Sequence, residues 1–145
     1  MHNISEIKIS YKSTKLKNEA IKCSHQAFEL LQKTWNSKTI ELMEEAKIIL
    51  LNRANHVLGI YELSKGGVNG TVADAKIIFA IALKSMASGI IFSHNHPSGN
   101  LKPSEADRVL TKSLVSAGKL LQIEVLDHVI ITSEGYFSFA DEGLI

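Results

Sequence analysis

Apolar positions along the chain fall into two patterns, one stepping by three and four residues and one continuous or alternating. Between Asn18 and Trp35, Ala20, Cys23, Ala27, Leu30, Leu31 and Trp35 recur at helical steps, which predicts a helix over 18–35. Ile48 to Leu51 is a continuous apolar run, short enough for a buried strand, and Glu44 and Glu45 lead into it. Asn52 to Asn55 is polar and turn-like, and Val57 to Leu63 reads as the next strand. Lys65-Gly66-Gly67 breaks that strand, and Val68 to Val72 reads as a bent continuation. Asp74 caps a helix running to about Ala87, with Ile77, Ile78, Ile81 and Ala82 inward and Gly89 closing it. Ile90 to Ser93 is a short, fully apolar strand that runs into the turn-forming stretch His94-Asn95-His96-Pro97-Ser98-Gly99-Asn100. Pro103-Ser104 then opens a helix to about Leu121, its apolar face carried by Val109, Leu110, Leu114 and Ala117. Val125 to Thr132 and Tyr136 to Phe139 form a closing strand pair around Ser133-Glu134-Gly135.

This order of helix, strands, helix, strand, helix and strands predicts an α+β fold with an α/β-like, three-layer build, a mixed sheet lying between helices. Residues 1–17 are polar and lysine-rich, and Ile4, Ile7 and Ile9 are spaced for at most a short edge strand. No repeat, low-complexity tract or linker divides the chain. Residues 1–40 are expected to form an N-terminal extension with one helix, packed on a main domain at 41–145.

Composition narrows the chemistry. With 145 residues, 45% of them hydrophobic, the chain can bury a core without disulfides or a structural metal, so a metal here would serve chemistry. A formal net charge of +1 gives no basic footprint for DNA. Cys23 is the single cysteine and sits among Lys22, Ser24 and His25, which reads as a plain structural thiol in a reducing cytoplasm. Met1 to Tyr11 lacks an apolar signal core, and no apolar run approaches the roughly 20 residues that cross a bilayer. The expected location is cytoplasmic, with no membrane partner.

The chemistry-bearing residues cluster at the end of the short apolar strand. Side chains at i and i+2 of an extended backbone share a face, so His94 and His96 can reach one ion. Pro97 stops the strand from continuing in the sheet. Asp107 follows His96 by eleven residues, near the start of the next helix, and loop 97–103 is long enough to turn it back toward the histidines. Two imidazoles and a carboxylate form a common catalytic zinc set with a fourth position open to water. Ser104 and Asp107 also read as an N-cap and a first-turn acid, which needs no metal. Either Glu44 or Glu45 points to the active face of the sheet as a general base. Asp127-His128 reads as a hydrogen-bonding pair near a strand start, or as a pair orienting a ligand from behind. His2, His25 and His56 fall in polar segments and read as surface residues.

The stretch from His94 to Asp107 resembles the JAMM (MPN+) motif: His-x-His-Pro, six residues, Ser, two residues, Asp. Within that fold, His94-Asn95-His96-Pro97-Ser98-Gly99, Leu126 to Ile131, the ending Tyr136 to Gly143 and Leu50 to Asn55 are similar to the RadC-like branch. The resemblance covers about residues 40–145. It implies a JAMM/cytidine-deaminase-like mixed sheet flanked by helices and one zinc ion per chain. It implies metal ligands at His94, His96 and Asp107, a glutamate that handles the attacking water, which is Glu44 on counting back from Asn52, and Ser104 at the oxyanion. Full-length RadC proteins carry a helix-hairpin-helix-like region in front of this domain, and residues 1–40 show no such Gly-rich hairpin.

The expected function is hydrolysis of an amide, peptide or isopeptide bond in an unidentified peptide or protein. A rival reading is a DNA-repair-associated protein whose zinc is structural or whose reaction is on nucleic acid. A third keeps the zinc and moves the reaction to another bond, such as a phosphodiester. Lys102 is then the nearest cation in sequence. Substrate identity and oligomeric state are left open by the sequence.

Overall fold

Glu45–Leu51 (β1) and Gly89–Asn95 (β3) are buried at every position, as strands covered on both faces must be. They lie at the heart of a five-stranded sheet in a computed structural model that describes residues 4–14, 19–65 and 73–145. The remaining elements are α1 (Ser24–Thr34), β2 (Val57–Lys65), α2 (Ala75–Lys84), α3 (Glu105–Leu121), β4 (Glu124–Ile131) and β5 (Tyr136–Ser138). The strand order is β2-β1-β3-β4-β5, with β3 and β4 parallel and every other pair antiparallel. This is the mixed sheet between helices expected from the sequence.

Alternation sorts the side chains into two cores. Ala46, Ile48 and Leu50 of β1 and Ile90 and Phe92 of β3 pack against Ile78, Phe79 and Ala82 of α2 and Leu114 of α3. Ile49, Leu51 and Ile91 face the other way, onto Ala27, Phe28 and Leu31 of α1. One irregularity changes the count. Val125 lies opposite Ile90 but Asp127 lies opposite Ile91, so Leu126 is an extra residue in β4. This β-bulge brings His128 opposite Phe92.

Several boundaries differ from expectation. The first helix starts at Ser24 and not at Asn18, which lies outside the described residues. Ala20 instead bridges His56, and Ile21 donates to the Asn55 carbonyl at 2.8 Å. The polar Lys22-Cys23 step separates that bridge from the helix. Asp74 does cap α2, accepting from the Lys76 amide at 2.9 Å, but the helix ends at Lys84 and Gly89 begins β3. Ile77 is exposed and Phe79 is inward, because a helix apolar on nearly all sides carries no clear phase. Val109 is exposed as well. The buried stripe of α3 is Thr111, Leu114 and Gly118, in line with Asp107 one turn earlier. The Gly66–Gly67 break, the Val68–Val72 continuation and His2 lie outside the described residues.

Gly118 shows how closely α3 sits on β4. A Cβ built there would run into the Ile123 carbonyl oxygen just before β4 and stand 3.3 Å from a Val125 methyl within it. Alanine favours a helix over glycine by up to about 1 kcal/mol. Moving backbone to admit the methyl outweighs that gain, and Gly118→Ala is expected to lose about 2 kcal/mol or more. A lower urea midpoint at unchanged slope would register it, and a midpoint at or above wild type would refute the close approach.

Candidate metal centre

The site forms where the parallel pair β3 and β4 ends and α3 begins. The His96 amide still donates to the Ile131 carbonyl at 3.0 Å, which keeps the backbone extended through both histidines. His94 and His96 therefore share the α3 face of the sheet. Their Nε2 atoms lie 3.0 Å apart. Asp107 sits at the third position of α3, with Oδ1 3.3 Å from His94 Nε2 and Oδ2 3.4 Å from His96 Nε2. Ligands about 2.0–2.1 Å from a tetrahedral zinc stand about 3.3 Å from one another. The two histidine nitrogens and the carboxylate oxygens stand about that far apart, and one ligand atom from each of the three residues lies within 4.8 Å of the others, close enough to hold a single ion. Among the described residues this is the one cluster of at least three such side chains close enough to share a metal.

Asp107 is aimed by its own helix start. The Ser104 amide donates to Asp107 Oδ2 at 2.8 Å, and the Asp107 amide donates to Ser104 Oγ at 3.0 Å. The capping box and the approach to the histidines thus coexist, the cap fixing the carboxylate's direction. Burial opposes charge on Asp107, but hydrogen bonds with His94 and His96 outweigh it and hold the carboxyl far below its usual range. His96 is held above the ordinary imidazole value, chiefly by its hydrogen bond to Asp107 and against its own burial.

Each histidine is also fixed from behind. His96 Nδ1 donates to the Asn100 carbonyl at 2.6 Å, so neutral His96 presents a lone pair at Nε2. The turn that brings Asn100 under the ring passes through Gly99 at φ 84°, a left-handed position that suits glycine. His94 Nδ1 lies 2.8 Å from His128 Nε2, and His128 Nδ1 lies 2.6 Å from Thr111 Oγ1. The His128 ring is fully buried, stacked on Phe139 and edge-on to Phe92. Burial, with the nearby His94 charge, pushes its pKa well below the imidazole value. The pair read from sequence is therefore split. His128 backs His94, whereas Asp127 takes hydrogen bonds from Ser138 Oγ and the Ala140 amide and anchors the chain end after β5. Burial raises the Asp127 pKa against those bonds.

Register separates the two glutamates. Ala46 lies opposite His94 in the antiparallel β1–β3 pair, so position 44 falls opposite His96. Glu44 is thus on the α3 face, and its charge acts on His96. Glu45 is buried on the opposite face, where its Oε1 accepts from Thr39 Oγ1 at 2.7 Å. Asn95 also points to that opposite face. Its Oδ1 accepts from the Glu45 amide at 2.7 Å, and its Nδ2 donates to the carbonyls of Ile40 at 2.7 Å and Met43 at 2.9 Å. The residue between the two histidines therefore pins the segment that carries Glu44. Sequence reasoning missed Asn95 and Thr111 as contributors. The one available signal was Thr111 standing one helical turn beyond Asp107.

A groove of about 450 Å³ opens beside Pro97 and Ser98, with Leu101, Thr132, Glu41 and Glu134 also along it. A larger cavity of about 740 Å³ lies at the other end of β3, around Gly89, Arg53 and Lys119, away from the cluster. Cys23 and Lys102 are exposed, and His25 is a surface residue paired with Glu29 at 3.4 Å. Among the described residues, no helix is long and apolar enough to cross a membrane.

Residues 21–144 match the family model described as RadC-like JAB domain. The chain is 42% identical over 129 residues to a UPF0758 protein of Flavobacterium johnsoniae, covering 89% of this chain and 55% of that one. It is 47% identical over 103 residues to a UPF0758 protein of Porphyromonas gingivalis, covering 70% and 45%. It is 40% identical over 100 residues to a UPF0758 protein of Thermotoga maritima, covering 69% and 45%. The chain spans about half the length of the curated relatives it matches.

Proposed function

This chain belongs to the RadC-like JAB domain family, and on that premise we propose that it is a zinc-dependent hydrolase that cleaves an amide, peptide or isopeptide bond. The family brings kinship with JAMM-type metal-dependent hydrolases. The observation that carries the reading is the convergence of His94 Nε2, His96 Nε2 and the Asp107 carboxylate to within reach of one ion. Two imidazoles and one carboxylate suit zinc. When bound, zinc supplies a Lewis acid that makes a nucleophile available near neutral pH.

The chain's own residues do the rest. Glu44, on the same face as the histidines, accepts a proton from the attacking water and returns it to the leaving amine. Ser104 Oγ accepts from the Asp107 amide, and its hydroxyl proton is directed at the oxygen that gains charge as the carbonyl is attacked. The groove beside Pro97 and Ser98 receives the substrate chain. A phosphodiester is served less well. Among the described residues, no arginine or lysine bonds with His94, His96 or Asp107 to meet a phosphate's charge.

Metal content tests this before any substrate is known. Purified protein is expected to hold about one zinc per chain, and His96→Ala to hold essentially none while remaining folded. A folded wild-type protein that takes up no metal after zinc is added back would remove the hydrolase reading.

A further inference from the structure

We propose that His128 and Thr111 are positioning residues that set the tautomer and aim of the zinc ligand His94 through a hydrogen-bonded circuit that returns to Asp107. The proposal rests on the metal-centre reading above. It follows from assigning each proton in turn. The Asp107 backbone carbonyl can only accept, and Thr111 Oγ1 lies 2.8 Å from it, so the threonine hydroxyl donates there. Having spent its one proton, Thr111 Oγ1 receives the proton of His128 Nδ1 across 2.6 Å. His128 Nε2 is then a lone pair, and it receives the proton of His94 Nδ1 across 2.8 Å. His94 Nε2 is left as the lone pair that faces His96 and Asp107.

One carbonyl therefore dictates the protonation of two imidazoles, and the outcome is the one a metal needs at His94. The circuit starts on the backbone of one ligand and ends on the ring of another. It joins α3, β4 and β3 behind the site. The bulge at Leu126 is a precondition, since without it His128 would fall opposite Ser93 and point to the α1 face. A buried histidine that merely fills space between Phe92 and Phe139 would require none of these alignments.

Thr111→Val keeps the size and shape of the side chain and removes the hydroxyl. It is expected to weaken apparent zinc affinity, read by competition with a chromophoric chelator, by about 10- to 100-fold. Thr111→Ser, which restores the hydroxyl, is expected to bind within a few-fold of wild type. The visible spectrum of the cobalt-substituted protein should change in Thr111→Val and recover in Thr111→Ser. Long-range proton–nitrogen NMR of the zinc-loaded protein should find His128 and His94 both protonated at Nδ1. A purely structural role would lower the melting temperature of Thr111→Val and leave its zinc affinity and cobalt spectrum unchanged, and that result would overturn the proposal. So would a proton found at His128 Nε2. If wild type binds zinc and Thr111→Val binds it equally well, only the circuit fails. If wild type binds none, the metal-centre reading fails and takes the circuit with it.

Discussion

Glu44→Gln is expected to keep about one zinc per chain and to lose hydrolysis of a peptide or isopeptide substrate by about two to four orders of magnitude. The substitution keeps shape and hydrogen-bonding capacity but removes the basic oxygen. Its selectivity follows from register. Position 44 falls opposite His96, so the group to be lost is on the ligand face without being one of the ligands. Glu45→Gln is the matched control. Glu45 is bonded to Thr39 on the opposite face, so its variant should retain turnover while losing some stability. A fluorogenic peptide or isopeptide panel with zinc analysis on the same samples reads both quantities. An unimpaired Glu44→Gln protein would remove Glu44 from proton transfer, and an impaired Glu45→Gln with Glu44→Gln intact would reverse the assignment.

The second large effect is expected at Asn95. This side chain is fully buried and satisfies three backbone groups, the Glu45 amide and the carbonyls of Ile40 and Met43. Truncation leaves those groups without their partner, at about 1–3 kcal/mol for each that stays buried. Asn95→Ala should therefore lose roughly 3 kcal/mol or more by urea unfolding. Its more specific effect is kinetic. The ligands project from the opposite face of β3, so zinc should still bind. Segment 40–45 loses its anchor, so Glu44 should no longer be held beside His96 and turnover should drop. Asn95→Asp sharpens the test. It keeps an acceptor for the Glu45 amide but loses both donors and adds a buried charge, so it should be no better than alanine. A stable, active Asn95→Ala protein would show that the clamp is idle.

These two residues mark how far the sequence could be read. The apolar runs at 48–51 and 90–93 identified the central strands because burial on both faces leaves little else in the pattern. The cluster of His94, His96 and Asp107 was legible because these residues and the capping Ser104 all lie within a short stretch, where local spacing limits geometry. What failed was face. The inner stripe of α3 runs Asp107, Thr111, Leu114, Gly118, and its first half is polar because it faces the site. A search for apolar periodicity selects Val109 instead, which is exposed. Glu44 and Glu45 could not be separated by residue type, because the distinction lies in which one stands across from His96. His128 was ambiguous for the same reason. Its face depends on a strand pairing that local sequence does not display.

The extra residue in β4 makes that strand a counting device. From Gly89 to Phe92 the chain of β3 takes three steps, while its neighbour takes four from Glu124 to His128. Inserting or deleting a single residue between Val125 and Asp127 would not be absorbed as a local dent. It would exchange inside for outside along everything downstream, turning His128 away from His94 and sending Val129 and Ile131 out of the core they fill beside α1. Leu126 packs against the α1-side core, but the stronger constraint there is the number of residues. Drift in this family should keep the number of letters between Val125 and Asp127 fixed.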